Sequence, residues 1–107
     1  MKFNLSLMGA LVGATLLFPG SASAGCETIT LGSAISLTGK YATNGMHAKN
    51  GYEFAIQKIK DAGGVKLGGK CYNFNVIYYD DESKGDRAAT LAERLINQDK
   101  VQYLLGP

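Results

Sequence analysis

The sequence predicts an α/β fold, a parallel sheet laid down in the order β-α-β-α-β. Three observations predict it. Strand-like apolar runs at Ile29–Ile35, Tyr72–Tyr79 and Val101–Leu105 alternate with two segments of helical spacing. The first run, ITLGSAI, is largely apolar without strict alternation, as expected of a strand covered on both faces. Each connection is long enough for a right-handed crossover helix, and two such crossovers place the first strand between the other two.

The chain has 107 residues, and the first 24 are expected to lie outside the fold. Lys2 is a short positive region, Leu5 to Phe18 is apolar, and Ala22-Ser23-Ala24 is a small-residue cleavage site. That order is a secretory signal peptide, residues 1–24, too short in its apolar part to span a bilayer comfortably. Residues 25–107 then form the folded part. The whole chain carries 11 basic and 9 acidic residues, and loss of Lys2 leaves ten and nine. So even a balance makes no electrostatic case for nucleic acid or an anionic membrane surface.

Both cysteines, Cys26 and Cys71, fall in the exported part, where oxidation is permitted. Each should sit just before one of the first two strands, at the same end of adjacent strands. A disulfide between them is the expectation. Acylation of Cys26 is the alternative, because Ala24-Gly25-Cys26 resembles the end of a lipoprotein site, although Ser23 stands where an aliphatic residue is usual.

After the first strand, Ser36 to Asn44 is a polar loop punctuated by Gly39 and Gly45. A helix should start near Asn44 or Gly45, capped by Thr43 or Asn44, and run to about Ala62. Ala48, Tyr52, Ala55, Ile59 and Ala62 lie on one face of it. Gly63-Gly64 ends it, since glycine accepts the left-handed conformation needed there. Val65 to Lys70 reads as a turn-rich connection. In the second strand Tyr72, Phe74, Val76 and Tyr78 share one face, and Asn73, Asn75, Ile77 and Tyr79 the other. Ser83 is placed to cap the second helix, whose stripe is Ala88, Leu91, Ala92, Leu95 and Ile96 and which runs to about Gln98.

Chemistry is expected where strands end at their carboxyl side, in Ser36 to Asn44. Gly39-Lys40 does not complete a phosphate-binding loop, since Ala34 and Tyr41 occupy two of its four fixed positions. Asp80-Asp81-Glu82 reads as a polar loop with acids favoured near a helix start, rather than a Mg²⁺ site. His47, the only histidine, reads as an exposed first-turn residue without a nucleophile or orienting partner. No zinc spacing and no cofactor-binding motif is present. Ser36, Thr38, Tyr41, Thr43 and Asn44 remain: hydroxyl and amide groups suited either to a small polar ligand or to ordinary loop capping.

The segments ITLGSAISLTGKYATNG, GYEFAIQKIKDAGGVKLGGK, IYYDDESK and ERLINQDKVQYLLGP resemble the periplasmic branched-chain amino acid and amide-binding proteins, the type I periplasmic binding proteins that feed ABC transporters. The resemblance runs through residues 27–107. It implies a two-lobed protein, each lobe a Rossmann-like α/β sandwich, closing on a solute between the lobes. This chain would supply a partial Rossmann-like parallel sheet, the first half of lobe one, as the N-terminal piece of a longer protein. The resemblance assigns Leu37, Thr38 and Tyr41 to the solute-contacting loop. Cys26 and Cys71 do not match the disulfide of the leucine-binding relatives.

The expected function is therefore solute capture for a membrane permease, without catalysis, cofactor or metal. The solute would be an amino acid, an amide or a related small molecule, and the place of work the periplasm. A piece this short is expected to bind nothing tightly alone. The alternative is the ligand-sensing ectodomain of a receptor, or an amide-responsive regulator of the same fold. A flavodoxin-like enzyme built on Asp80 and Asp81 ranks last.

Overall fold

A computed structural model describes residues 25–107, together with Lys2, Gly13 and Ala14. The leader reading of residues 1–24 otherwise lies outside the described residues. The elements are β1 (Glu27–Ile35), α1 (Ala42–Asp61), β2 (Val65–Leu67), β3 (Lys70–Asp80), α2 (Gly85–Asn97) and β4 (Tyr103–Leu104). They form one four-stranded sheet in the order β2-β3-β1-β4.

β1 pairs in parallel with β3 from Glu27↔Tyr72 to Ile35↔Asp80, and with β4 at Leu31↔Tyr103 and Gly32↔Leu104. The first strand thus lies between the other two long-range partners, as the crossover rule predicts. The sheet is not purely parallel, however. β2 pairs antiparallel with β3, Val65 opposite Tyr72 and Leu67 opposite Lys70. Gly68 (φ 57°) and Gly69 (φ 77°) make the two-residue turn. Both positions need a positive φ, which is why Gly-Gly permits a hairpin where a turn-rich connection was expected.

Helix limits also differ from the expectation. α1 begins at Ala42, two residues early, and neither Thr43 nor Asn44 caps it; Tyr41 is its N-cap, without a side-chain bond. α2 follows Lys84, again without a side-chain cap, because Ser83 is engaged elsewhere. α1 ends as anticipated. The Gly64 N–H donates to the Ile59 carbonyl at 2.8 Å and the Gly63 N–H to Lys60 at 3.0 Å, with Gly63 at φ 89°. This is the paired capping of a Schellman motif.

The two helices cover opposite faces unequally. A Cβ on Gly32 would come within 2.9 Å of Leu95 and 3.0 Å of Val101, so glycine lets α2 sit close. Leu91, Leu95 and Val101 are buried there; Ile96, counted on the same stripe, is 49 % exposed. Leu31 points to the other face, where it lines an open cavity of about 230 Å³ with Tyr52, Ala55, Ile56 and Ile59 of α1 and with Phe74. Only Gly45 of α1 is fully buried. Ile56, absent from the expected stripe, is half-buried, whereas Ala62 is exposed. His47 is exposed.

Cys26 and Cys71 are joined by a disulfide, with Cα atoms 4.6 Å apart. Cys26 immediately precedes β1, but Cys71 is the second residue of its strand rather than a residue ahead of it. The bridge lies one step before the Glu27↔Tyr72 pair. It packs under the end of α1: the Gly63 carbonyl oxygen is 3.2 and 3.3 Å from the two sulfurs. A Cβ on Gly64 would stand 2.7 Å from the Cys26 sulfur. The bridge spans a sequence separation of 45. Loop-closure entropy for a span of that size is worth roughly 4 kcal/mol. Cys71→Ser is therefore expected to lower unfolding free energy by about 2–4 kcal/mol, read by urea denaturation with and without reductant. Equal midpoints for the oxidised chain and the variant would refute that contribution.

Candidate functional site

The strand order reverses at β1, with α1 on one face and α2 on the other. In open α/β sheets the crevice beyond the carboxyl ends at such a reversal is where ligands bind. Here it is a cleft of about 460 Å³, lined among others by Ser36, Tyr41, Asn44, Asp81, Ser83 and Lys84, with Pro107 at its edge.

The loops that form the cleft are held by two carboxylates at the end of β3. Asp80 Oδ1 accepts the backbone N–H groups of Leu37 at 2.9 Å, Thr38 at 3.2 Å and Glu82 at 2.8 Å. Its Oδ2 accepts the Thr38 hydroxyl at 2.7 Å. These donors, the Thr38 hydroxyl foremost, favour the ionised form and hold the Asp80 carboxyl down at about 2. Asp81 is buried, and its Oδ1 accepts the Ser36 hydroxyl at 2.7 Å and the Ser83 N–H at 2.8 Å. Ser83 Oγ donates to the Thr38 carbonyl at 2.8 Å and accepts the Tyr41 N–H at 3.0 Å. At the outer rim Arg87 pairs with Glu82 at 2.6 Å and donates to the Asp80 carbonyl at 3.1 Å.

Chemically this is a scaffold of donors and acceptors already matched to one another. Asp80 and Asp81 are consumed as loop latches. Among the described residues no three His, Cys, Asp or Glu side chains gather as metal ligands. Of the residues assigned to the solute loop, Tyr41 lines the cleft and is 48 % exposed. Thr38 is exposed, but its hydroxyl and carbonyl are both used within the scaffold. Leu37 is half-buried at the start of the loop. Ser36 and Asn44 reach the cleft too, whereas Thr43 is not among its lining residues. Ser83 and Lys84 were not singled out as cleft residues by the sequence. Ser83 is held there by bonds to residues 42 and 45 positions away across the sheet, which no local pattern encodes.

Fold and cleft together are those of an open α/β lobe with a crevice at its strand reversal. The chain belongs to the periplasmic binding protein family, whose sequence pattern matches residues 28–107. It is 32 % identical over 103 residues to Leu/Ile/Val-binding protein homolog 3 of Brucella melitensis, covering 96 % of this chain and 26 % of that protein. Among solved structures it resembles the branched-chain amino acid transporter substrate-binding protein LivJ of Streptococcus pneumoniae in complex with isoleucine. That likeness has TM-score 0.65 and 31 % identity, over 76 % of this chain and 22 % of the other. It also resembles an ABC-transporter solute-binding protein of Rhodopseudomonas palustris in complex with 3,4-dihydroxybenzoic acid. There the TM-score is 0.56 and the identity 31 %, over 72 % of this chain and 20 % of the other. The chain thus spans about a quarter or less of the length of these relatives. The family is one of extracytoplasmic solute-binding proteins.

Two outcomes follow from the site's geometry. A Cβ on Gly45 would overlap the Ser36 carbonyl. Helix propensity alone would make Gly45→Ala stabilising by about 1 kcal/mol. Collision with backbone should reverse the sign, to a loss of roughly 1–3 kcal/mol, measured by denaturant unfolding; a gain would show that α1 shifts freely away from the loop. For Asp80 the folded pKa lies below the unfolded value. Its contribution is therefore present above about pH 4 and is lost as pH falls towards 2. The thermal midpoint should fall across that window, and less steeply in Asp80→Asn. An unchanged slope in the variant would assign the acid sensitivity to other carboxylates.

Proposed function

We propose that residues 25–107 are the amino-terminal part of the first lobe of an extracytoplasmic solute-binding protein serving an ABC transporter, preceded by a signal peptide at residues 1–24. The lobe works in the periplasm, catalyses nothing, and hands its solute to a membrane permease. The observation that carries this reading is the cleft itself, at the strand reversal and ringed by Ser36, Tyr41, Asn44 and Lys84. The solute class is a branched-chain amino acid or a related small carboxylate. Relatives bound to isoleucine and to 3,4-dihydroxybenzoic acid, each 31 % identical, support it. Both molecules carry a carboxylate, and Lys84 brings a positive charge to the cleft.

Tyr41 contacts the solute, Thr38 shapes the loop through Asp80, and Leu37 supplies apolar surface at the rim. The facing lobe belongs to the length of relatives that this chain does not span. Contacts to both lobes favour a closed state over an open one, which is how capture is coupled to hinge motion.

Isothermal titration with leucine, isoleucine, valine and 3,4-dihydroxybenzoate tests the reading. The two-lobed protein of which these residues are proposed to be the first part should bind one of them with micromolar affinity. Tyr41→Ala should weaken it by about tenfold, or roughly 1.4 kcal/mol. The 107-residue chain alone should show no binding at that level. Micromolar binding by the short chain would overturn the proposal that it supplies only part of a two-lobed site, and unaltered affinity in Tyr41→Ala would remove Tyr41 from the site.

A further inference from the structure

Ser83 occupies a backbone position that serine rarely adopts. Glu82 and Ser83 are consecutive non-glycine residues in the left-handed region, at φ 55° and 62°. Each such residue is disfavoured and persists only where its surroundings over-determine it. Here the surroundings are the two latches, with Asp80 accepting the Glu82 N–H and Asp81 the Ser83 N–H, both at 2.8 Å. Their combined effect is to turn the Ser83 hydroxyl across the sheet end, towards the loop that follows β1.

That loop is shaped to receive it. Gly39 stands at φ 84°, and a Cβ there would lie 2.7 Å from Ser83 Oγ and 2.9 Å from the Glu82 carbonyl. With glycine in place, Ser83 Oγ reaches the Thr38 carbonyl and the Tyr41 N–H at once. The two bonds bracket Gly39-Lys40 and end on the one loop residue whose ring lines the cleft. Lys40 Nζ lies 4.6 Å from the centre of that ring, on the same bracketed turn.

We propose that Ser83 is a positioning residue of the cleft: its hydroxyl clasps the turn after β1 and holds Tyr41 at the cleft wall. The role rests on the solute-cleft reading for its purpose. The clasp itself is independent of any solute, so its test needs none. Ser83 touches the solute loop only through backbone groups and acts through Tyr41.

Amide hydrogen exchange by NMR on the full chain reads the clasp directly, because the Tyr41 N–H is one of its two bonds. Ser83→Ala and Ser83→Gly both remove the hydroxyl. Ser83→Gly also suits a φ of 62°, so it keeps the backbone even if Ser83→Ala does not fold. In both variants the Tyr41 amide is expected to exchange about tenfold faster, as for loss of one ordinary hydrogen bond. The Asp81 amide, bonded to the Ile35 carbonyl at 3.0 Å, is expected to keep its native rate. Tyr41 protection unchanged in Ser83→Gly would overturn the proposal. So would equal acceleration at Tyr41 and Asp81, which would make Ser83 a general stabiliser. Failure of solute titration, by contrast, would strike the cleft reading and leave the clasp measured.

Discussion

Two parallel strands end on the same side, and no hairpin ties their outgoing loops together. Something else must close that end, and here it is a pair of carboxylates, Asp80 foremost. Asp80 gathers N–H groups from the loop after β1 and from its own loop, and the Thr38 hydroxyl completes the set. Everything at the cleft is referred to this point. The Thr38 carbonyl is where Ser83 lands, and Ser83 in turn meets the Tyr41 N–H. Asp81 repeats the device one residue on, tying Ser36 to the same loop from a buried position.

The opposite end of the sheet is closed by different chemistry. There a covalent bridge joins β1 to β3 and lies beneath the glycine cap of α1. α1 connects the two ends and is closely approached at both: Gly45 against the Ser36 backbone at the cleft, and Gly64, just past the helix, against the bridge and the Tyr72 carbonyl. Between those points its contact is loose, with Phe54 66 % exposed. α2 is the better-packed helix, through Leu91 and Leu95. The lobe is thus fastened at its two ends and only partly filled between them.

The order of the parallel strands was legible in the sequence through the crossover rule, and the Gly63-Gly64 stop through a glycine conformation. The helix faces were legible only in part: Leu91 and Leu95 are buried as expected, whereas Ile96 and Ala62 are exposed and Ile56 was missed in the sequence. The hairpin at β2 was also written there, in Gly68-Gly69, but three residues are too few to show alternation. The helix starts were misread for a physical reason. Thr43, Asn44 and Ser83 are good capping residues, but the caps fell to Tyr41 and Lys84, and Ser83 was drawn into a bond across the sheet. The acidic run was read as a polar loop with helix-end charge, but its carboxylates are spent on hydrogen bonds across the strand ends. These bonds join residues some 42 to 45 positions apart, and such pairs leave no trace in a window of sequence.

The place of the bridge has one more consequence. In a sheet, displacement by a single residue exchanges the two faces of a strand. Ser33 and Ile35 would then turn to the α2 face, where the position beneath Leu95 now fits only a glycine, and Gly32 would no longer lie there. The first strand is poorly protected from such slippage, since threonines, glycine and alanine make its alternation weak. Cys26 and Cys71 are neighbours in the step just before Glu27↔Tyr72, so their bond is compatible with only one alignment. It behaves as an indexing pin: it stands remote from the cleft, yet it determines which side chains arrive there.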